Sequence, residues 1–332
     1  MEGVIASVVF RNFKALRNTN LQLAPFNLII GPNGSGKTSL IQALLRLRTL
    51  SQLPLGDRSA PTLPTAAEIG FAFAPPHDRV TASLGCVSDR VCDLLRVQSP
   101  TPGEWEAVKI KLPGIRNFLF DHEAMATAAT KTGALELAAD GRNLADVLTT
   151  HRAQAPEAFQ RFEAEVIRLL PEFTGIVLTE EPGGKVGFAL ALGQAEPPVT
   201  AENLSQGVLH LLAVLVLAFL PANFTVVCIE EIDRGVHPRM LREVRDALYR
   251  LSYPASFGGS RPAVQVIATT HSPYLLDLFR EHPEEVVITQ KEGRSARFER
   301  LADRADLSEL LREGSLGDMW YSGILGGVPE AE

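Results

Sequence analysis

Apolar positions along the chain sort into three patterns. Nearly unbroken apolar runs rich in β-branched residues occupy Phe26-Asn27-Leu28-Ile29-Ile30, Val226-Val227-Cys228-Ile229 and Val264-Gln265-Val266-Ile267-Ala268. Runs of this kind predict parallel strands buried on both faces. Period-two patterns predict two strands around a turn within residues 4–30 and a set of strands over 67–97, including Glu68–Phe73 and the stretch from Arg79 to Leu84. Gly175 to Leu192 predicts a hairpin turning at Gly183-Gly184. Helical periodicity covers 37–49 and, more loosely, 104–170. Pro156 to Leu170 sets Phe159, Phe162, Val166 and Leu169 on one face, with Arg161, Glu165 and Arg168 opposite, the pattern of a surface helix packed on a core. The longest apolar run, Val208 to Leu220, is interrupted by His210 and followed by Pro221. It is too short to cross a bilayer and predicts a buried helix in a soluble protein. Leu50 to Thr65, rich in Pro, Ser and Gly, reads as a surface loop or partly disordered segment. The fold class expected is α/β with a mixed sheet at its core.

Composition agrees with a large core: 332 residues, 45% hydrophobic and 21% charged, enough for one two-lobed domain or two intimate ones. A net charge of -7 argues against bulk nonspecific nucleic-acid binding and leaves local patches open. Arg239, Arg242 and Arg245 would share a helix face, and Lys291, Arg294, Arg297, Arg300 and Arg304 crowd a late strand-turn region. Glu243, Asp246, Glu292, Glu299 and Asp303 are interleaved with them, which favours solvated mixed-charge faces. The three cysteines, Cys86, Cys92 and Cys228, lack metal-ligand spacing and fit a reducing cytoplasm. Met1-Glu2-Gly3 opens without a basic n-region, so no targeting segment is expected.

Four segments carry chemistry. Gly31-Pro32-Asn33-Gly34-Ser35-Gly36-Lys37-Thr38 fits G-x-x-x-x-G-K-[ST] between a predicted strand and a predicted helix beginning near Ser39. The glycines let backbone N–H groups wrap phosphates at a helix N-terminus, Lys37 would reach the β- and γ-phosphates, and the Thr38 hydroxyl would ligate Mg²⁺. The run from Val226 ends in Glu230 and Glu231, at the carboxyl end of a strand where parallel sheets place their ligands. Alternation along the strand would aim Glu230 at Thr38 and the metal and Glu231 at an attacking water. His271 closes the strand that begins at Val264; a neutral imidazole there can hydrogen-bond a γ-phosphate or the water. Leu204-Ser205-Gln206-Gly207 heads the buried helix, where Ser205 and Gly207 form an ordinary N-cap or an anion cradle. Alone, His271 and Ser205 would read as structural; their order behind the first two segments changes that.

Taken together, these segments resemble, in order and spacing, the ABC-type ATPase heads, and among them the soluble branch that includes RecF, the structural-maintenance-of-chromosomes heads, the OLD-type ATPases and many prokaryotic anti-phage ATPases. Walker A lies at 31–38, an L-S-x-G signature at 204–207, Walker B ends at Glu231 and a switch histidine stands at 271. Further family-like stretches are Val9-Phe10-Arg11-Asn12-Phe13-Lys14, Asp140-Gly141-Arg142-Asn143-Leu144 and Ser315-Leu316-Gly317-Asp318-Met319-Trp320-Tyr321-Ser322-Gly323. The resemblance implies a P-loop NTPase fold of ABC-ATPase type, with an antiparallel β lobe and a helical lid lobe. It implies one two-lobed domain over 1–332: Walker A and β part at 1–98, helical lid and hairpin at 99–200, signature, Walker B and switch at 201–332. No heptad run lies between Thr38 and Leu204, so a compact lid is expected in place of a long coiled coil. The resemblance also assigns ATP and Mg²⁺ as cofactors. Asn33, Gly34, Ser35, Gly36, Lys37, Thr38 and Ser39 would hold nucleotide, Thr38 and Glu230 the metal, and Glu231 and His271 the chemistry. Ser205 and Gly207 would act in trans on the partner's γ-phosphate, and Asp233, in Ile232-Asp233-Arg234-Gly235-Val236-His237-Pro238, would sit on the dimer loop. Family heads carry a glutamine at the hinge between lobes, for which Gln98 is the match available. Two departures stand out: Glu230 replaces the usual Walker B aspartate, a substitution common in this branch, and the signature lacks a second glycine.

The expected function is ATP binding and hydrolysis coupled to head-to-tail closure of a cytoplasmic homodimer. That cycle would regulate a separate effector such as a nuclease, or a DNA transaction, in genome maintenance or anti-phage defence. Asp303 and Asp306 resemble part of a metal pair, but no Toprim-type nuclease domain is expected after Ala305. The alternatives are an ATPase subunit of a membrane transporter, against which the signature and long lid count, and an ATP-binding scaffold with little turnover.

Overall fold

The computed structural model describes residues 3–53, 67–88, 91–193, 196–293 and 295–326. Most of the Leu50 to Thr65 loop, Arg294 and the side chain of Glu292 lie outside the described residues. The chain forms two compact units: residues 1–117, 224–231 and 261–332 in the first, residues 118–223 and 232–260 in the second.

The first unit is built on an eleven-stranded sheet among the described residues. In spatial order its strands are Cys92–Gln98, Thr81–Cys86, Glu68–Phe73, Ile5–Phe13, Leu16–Gln22, Ser295–Arg300, Val286–Glu292, Phe26–Ile30, Gln265–Thr270, Val226–Ile229 and Ile115–Phe118. Its centre is parallel. Val266 to Thr270 pair with Phe26 to Ile30, Val226 to Ile229 pair with Gln265 to Ala268, and Val286 to Ile288 pair with Leu28 to Ile30. Every residue of Phe26–Ile30, Val226–Ile229 and Gln265–Thr270 is buried, the condition that demands an apolar run without alternation. The wing from Ile5 to Gln98 is antiparallel and does alternate, as in Glu68–Phe73, whose Ile69, Phe71 and Phe73 are buried. Helix Lys37–Ser51 lays Leu40, Ile41, Leu44 and Leu47 into the same core as Phe10, Ile29, Phe71 and Ile267.

Parallel strands share one carboxyl edge, so the segments after Ile30, Ile229 and Thr270 all emerge on one side of the sheet. That shared edge is what gathers the site.

The second unit holds helices Leu144–Gln154, Pro156–Leu169, Gln206–Phe219 and Leu241–Ser252 and a small sheet around the hairpin Gly175–Glu181 and Lys185–Ala191. Gly183 and Gly184 both take positive φ, 78° and 73°, which glycine adopts without steric cost. In Pro156–Leu169 the buried side chains include Phe159, Phe162 and Val166 as expected, while Leu170 beyond the helix end is buried in preference to Leu169. Gln206–Phe219 is buried on nearly every side. Asp146, fully buried, accepts hydrogen bonds from the Thr132, Gly133 and Ala134 backbone N–H groups and from the Thr132 hydroxyl. It thereby anchors the loop ahead of helix Leu144–Gln154.

Three readings change. The stretch 104–170 is not wholly helical, because Ile115–Phe118 forms the sheet's edge strand; four residues with Arg116 and Asn117 in the middle are too short and polar to show a period. Cys86 and Cys92, read as separate reduced thiols, are paired as a disulfide, since they face each other across the hairpin of strands Thr81–Cys86 and Cys92–Gln98. Asp306 is bound to Arg304 at 2.8 Å, and no group of three or more metal-ligating side chains occurs among the described residues.

Candidate functional site

The loop from Gly31 to Gly36 leaves strand Phe26–Ile30 and turns into helix Lys37–Ser51. Its glycines are needed at named places. Gly34 and Gly36 have φ of 74° and 100°, in the region that L side chains avoid. A Cβ at Gly36 would stand 2.7 Å from the Leu16 side chain. No side chain caps the helix at Gly36, so its first N–H groups face the loop's concavity and make a ready anion site. Ser35 Oγ and Thr289 Oγ1 share a hydrogen bond, which ties the loop to strand Val286–Glu292.

Around this cradle the carboxyl edge delivers Glu230, Glu231, Thr269 and His271. Together with Asn33 through Ser39 they line one cleft of about 180 Å³. Lys37 Nζ donates to the carbonyls of Gly31 (2.6 Å) and Pro32 (2.9 Å). Burial lowers its pKa from 10.5 to about 8, against the opposing pull of Glu231 and then Glu230. Thr38 Oγ1 donates to Glu230 Oε2 at 3.0 Å. The other carboxylate oxygen of Glu230 accepts from Asn117 Nδ2, also at 3.0 Å.

Glu230 and Glu231 do diverge, but not by strand alternation. The strand ends at Ile229, and Glu231 has a φ of 53°, a conformation rare outside glycine and held here by its N–H donating to Thr269 Oγ1 at 3.0 Å. Glu231 and His271 are both exposed in the cleft.

Asn117 escaped the sequence reading because it meets Glu230 only through the pairing of two strands more than a hundred residues apart. Asn117 is also the last residue of the first unit before the chain crosses into the second, and Glu231 is the last residue before another crossing. Gln98 is placed elsewhere, exposed at the end of the opposite edge strand Cys92–Gln98 and not among the residues lining the cleft.

The signature segment belongs to the second unit. Ser205 caps helix Gln206–Phe219, its Oγ accepting from Val208 N at 3.3 Å. A Cβ at Gly207 would stand 2.4 Å from the Gly235 carbonyl oxygen, so the helix start and the loop bearing Asp233 touch backbone to backbone. Asp233 is half-buried, and its carbonyl accepts from Val236 N at 3.1 Å.

Comparison with known proteins places this architecture. An "AAA ATPase domain" model matches residues 4–75, and a model described as "AAA domain, putative AbiEii toxin, Type IV TA system" matches residues 116–277. The chain superposes on the SMC head bound to the C-winged helix domain of ScpA with a TM-score of 0.58 at 16% identity, covering 89% of this chain and 97% of that one. The Smc head with an extended coiled coil, bound to the C-terminal domain of ScpA from Pyrococcus furiosus, gives 0.58 at 13% identity over 93% and 100%. The chain has a RecF/SMC-like P-loop ATPase fold. Its sequence kinship is local: the chain is 43% identical over 44 residues to the DNA replication and repair protein RecF of Erwinia tasmaniensis, 13% of this chain and 12% of that protein. A match to the zinc import ATP-binding protein ZnuC of Pasteurella multocida is 51% identical over 43 residues, 12% of this chain and 16% of that one. The chain therefore spans about an eighth of the length of the curated RecF relatives it matches. No helix among the described residues of this SMC-like fold is long and apolar enough to cross a membrane.

Proposed function

We propose that this protein binds and hydrolyses MgATP at the cleft formed by the Gly31–Thr38 loop, and that hydrolysis governs head-to-tail pairing of two copies. The observation that carries the reading is the convergence of Lys37, Thr38, Glu230, Glu231 and His271 on one cleft at the carboxyl edge of the parallel strands. Its volume is well below the ~300–1,000 Å³ of a pocket that encloses a whole ligand. It suits the phosphate tail, with the nucleoside outside.

The donor set fits Mg²⁺. Thr38 Oγ1 and Glu230 Oε2 are hard oxygens 3.0 Å apart, which would hold the ion; adjacent ligands of an octahedral ion bound at ~2.1 Å are ~3.0 Å apart. When bound, the ion would neutralise charge on the β- and γ-phosphates. In the proposed mechanism Lys37 exchanges its two carbonyl partners for phosphate oxygens, and the loop N–H groups hold the rest. Glu231 orients a water and accepts its proton as the water oxygen bonds to the γ-phosphorus and the bond to the bridging oxygen breaks, leaving ADP and phosphate. His271 donates to the γ-phosphoryl oxygens as charge develops. Ser205 and Gly207 cap the partner's γ-phosphate, so hydrolysis removes a ligand that bridges both copies and loosens the pair. In this reading the amide expected of Gln98 would instead come from Asn117, whose Nδ2 donates to Glu230 Oε1.

The cycle would regulate a separate effector or a DNA transaction in genome maintenance or anti-phage defence. The resemblance to RecF and to a family named for a toxin system supports this. ScpA-bound relatives make a docked partner protein a reasonable form for the effector. A transporter role draws only on the short ZnuC match.

Light scattering of Glu231→Gln with and without MgATP, beside phosphate release by the unmodified protein, tests the reading. Turnover in the unmodified protein with ATP-dependent dimers of the variant is the expected result. Absence of both binding and turnover would overturn it, and a constant mass would remove the dimer step.

A further inference from the structure

Strands Thr81–Cys86 and Cys92–Gln98 pair in one antiparallel register from Thr81 opposite Gln98 to Gly85 opposite Leu94, and then break it. A regular continuation would set Asp93 opposite Cys86, on the core face that takes Leu95 and Val97. Instead Asp93 is skipped and exposed, and Cys92 is buried opposite Cys86, where the two sulfurs are joined. A carboxylate in an apolar core is costly, so the irregularity follows from the charge of Asp93 and does not need the bridge to hold it. With the bridge open, both cysteines would stay on the core face opposite one another, placed to join again.

The bridge also borders an opening. A cleft of about 300 Å³ is lined by Cys92, Val91, Lys14, Gln42 and Arg46 among others. Lys14 and Arg46 are its charged lining residues, and no carboxylate lines it among the described residues. Thiol–disulfide exchange runs through thiolates, and neighbouring cations favour those anions. Lys14 Nζ donates to Gln42 Oε1 at 2.6 Å, and Arg46 Nε donates to the Cys92 backbone carbonyl. Gln42 and Arg46 belong to helix Lys37–Ser51, so the cysteine that borders the cleft is bonded to the helix that begins with Lys37 and Thr38. All of these residues lie in the first unit.

We propose that Cys86–Cys92 is a reversible thiol–disulfide exchange site, opened by a small dithiol entering beside Cys92, and that helix Lys37–Ser51 reads its state through Arg46. In the exchange a thiolate of the dithiol attacks the Cys92 sulfur, the bond to the Cys86 sulfur breaks, and Cys86 leaves as a thiolate that takes a proton. The second thiol of the same reagent attacks the reagent's own sulfur in the mixed disulfide, which releases Cys92 and leaves the reagent as a cyclic disulfide. Two electrons and two protons have then passed to the protein. Opening loosens the end of the hairpin, and with it the carbonyl that Arg46 holds. A lower MgATP affinity in the open form is a consequence that rests on the proposed function; the exchange site and its link to the helix do not.

The test incubates the full chain, folded, in mixtures of reduced and oxidised dithiothreitol, alkylates the free thiols and locates them by peptide mass. The expected result is alkylation of Cys86 and Cys92 together, no reaction at the buried Cys228, and recovery of the bridge in oxidised reagent. Hydrogen exchange over residues 37–51 should be about tenfold faster in the reduced protein. The doubly substituted Cys86→Ser, Cys92→Ser protein should match the reduced form whatever the reagent. In Arg46→Lys, which keeps the charge and loses the Nε donor, the two redox states should exchange alike. MgATP affinity should fall by about threefold or more on reduction. A bridge that opens only after unfolding, thiols that never pair in oxidised reagent, or a helix that exchanges equally in both states of the unmodified protein overturns the proposal. Thiols and helix that respond as expected in a protein that binds no MgATP overturn the reading of the Gly31–Thr38 cleft alone.

Discussion

Lys37 shows how a single side chain converts burial into a pH dependence. Its pKa of about 8 means that the ammonium ion the proposed phosphate contact needs is nearly complete at pH 7, half formed at pH 8 and lost as the pH rises above that value. Under the proposed function nucleotide binds the protonated form. MgATP affinity should therefore hold steady below about pH 7 and fall by up to tenfold per pH unit above 8. Calorimetric titration across that range checks it, and proton uptake should accompany binding near pH 8. Asn117 supplies a second residue-scale prediction. Asn117→Ala leaves Glu230 Oε1 without its 3.0 Å partner, and Mg²⁺-dependent turnover should fall about tenfold or more while metal-free nucleotide binding changes little. The convergence of Lys37, Thr38 and Glu231 on one cleft was legible from sequence because the Gly31–Thr38 loop and the strand-end glutamates are contiguous strings at the ends of buried strands. Asn117 was not, since no local pattern marks an asparagine on a four-residue edge strand.

Among the elements, the parallel strands were the easiest to foresee, because burial on both faces leaves an apolar run that little else produces. Phe26–Ile30, Val226–Ile229 and Gln265–Thr270 all formed where the runs predicted. Short edge elements such as Ile115–Phe118 were hidden by their polar centres. Helix Lys37–Ser51 depends on its approach through Gly36. Gly36→Ala must bear both a φ of 100° and a clash at 2.7 Å with Leu16. Chemical denaturation should show a loss of about 1–3 kcal/mol, and nucleotide binding should weaken with it. Gly34→Ala has open space around the added methyl, so it should cost less, about 1 kcal/mol from backbone conformation.

At the scale of the whole molecule, acid stability should centre on Asp146. Burial alone would raise its pKa, but hydrogen bonds from Thr132, Ala134 and Gly133 outweigh it and hold the value below 3.8. A carboxylate with a depressed folded pKa contributes stability that is present above its unfolded value and lost as the pH falls through the folded one. Thermal unfolding followed from pH 6 downward should show a drop below about pH 4 that Asp146→Asn lacks, and Asp146→Ala should cost about 3 kcal/mol at pH 7. The chain by itself determined the class of fold, the sheet's parallel centre and the glycine-rich loop between strand and helix, because burial period and turn residues are written in neighbouring positions. Only the tertiary structure decided that Asn117 rather than Gln98 meets Glu230 and that Glu231 turns away through a left-handed backbone and not through strand alternation. Each of those depends on strands or loops far apart in sequence meeting at ångström distances, which the pattern of residue types along a chain does not encode.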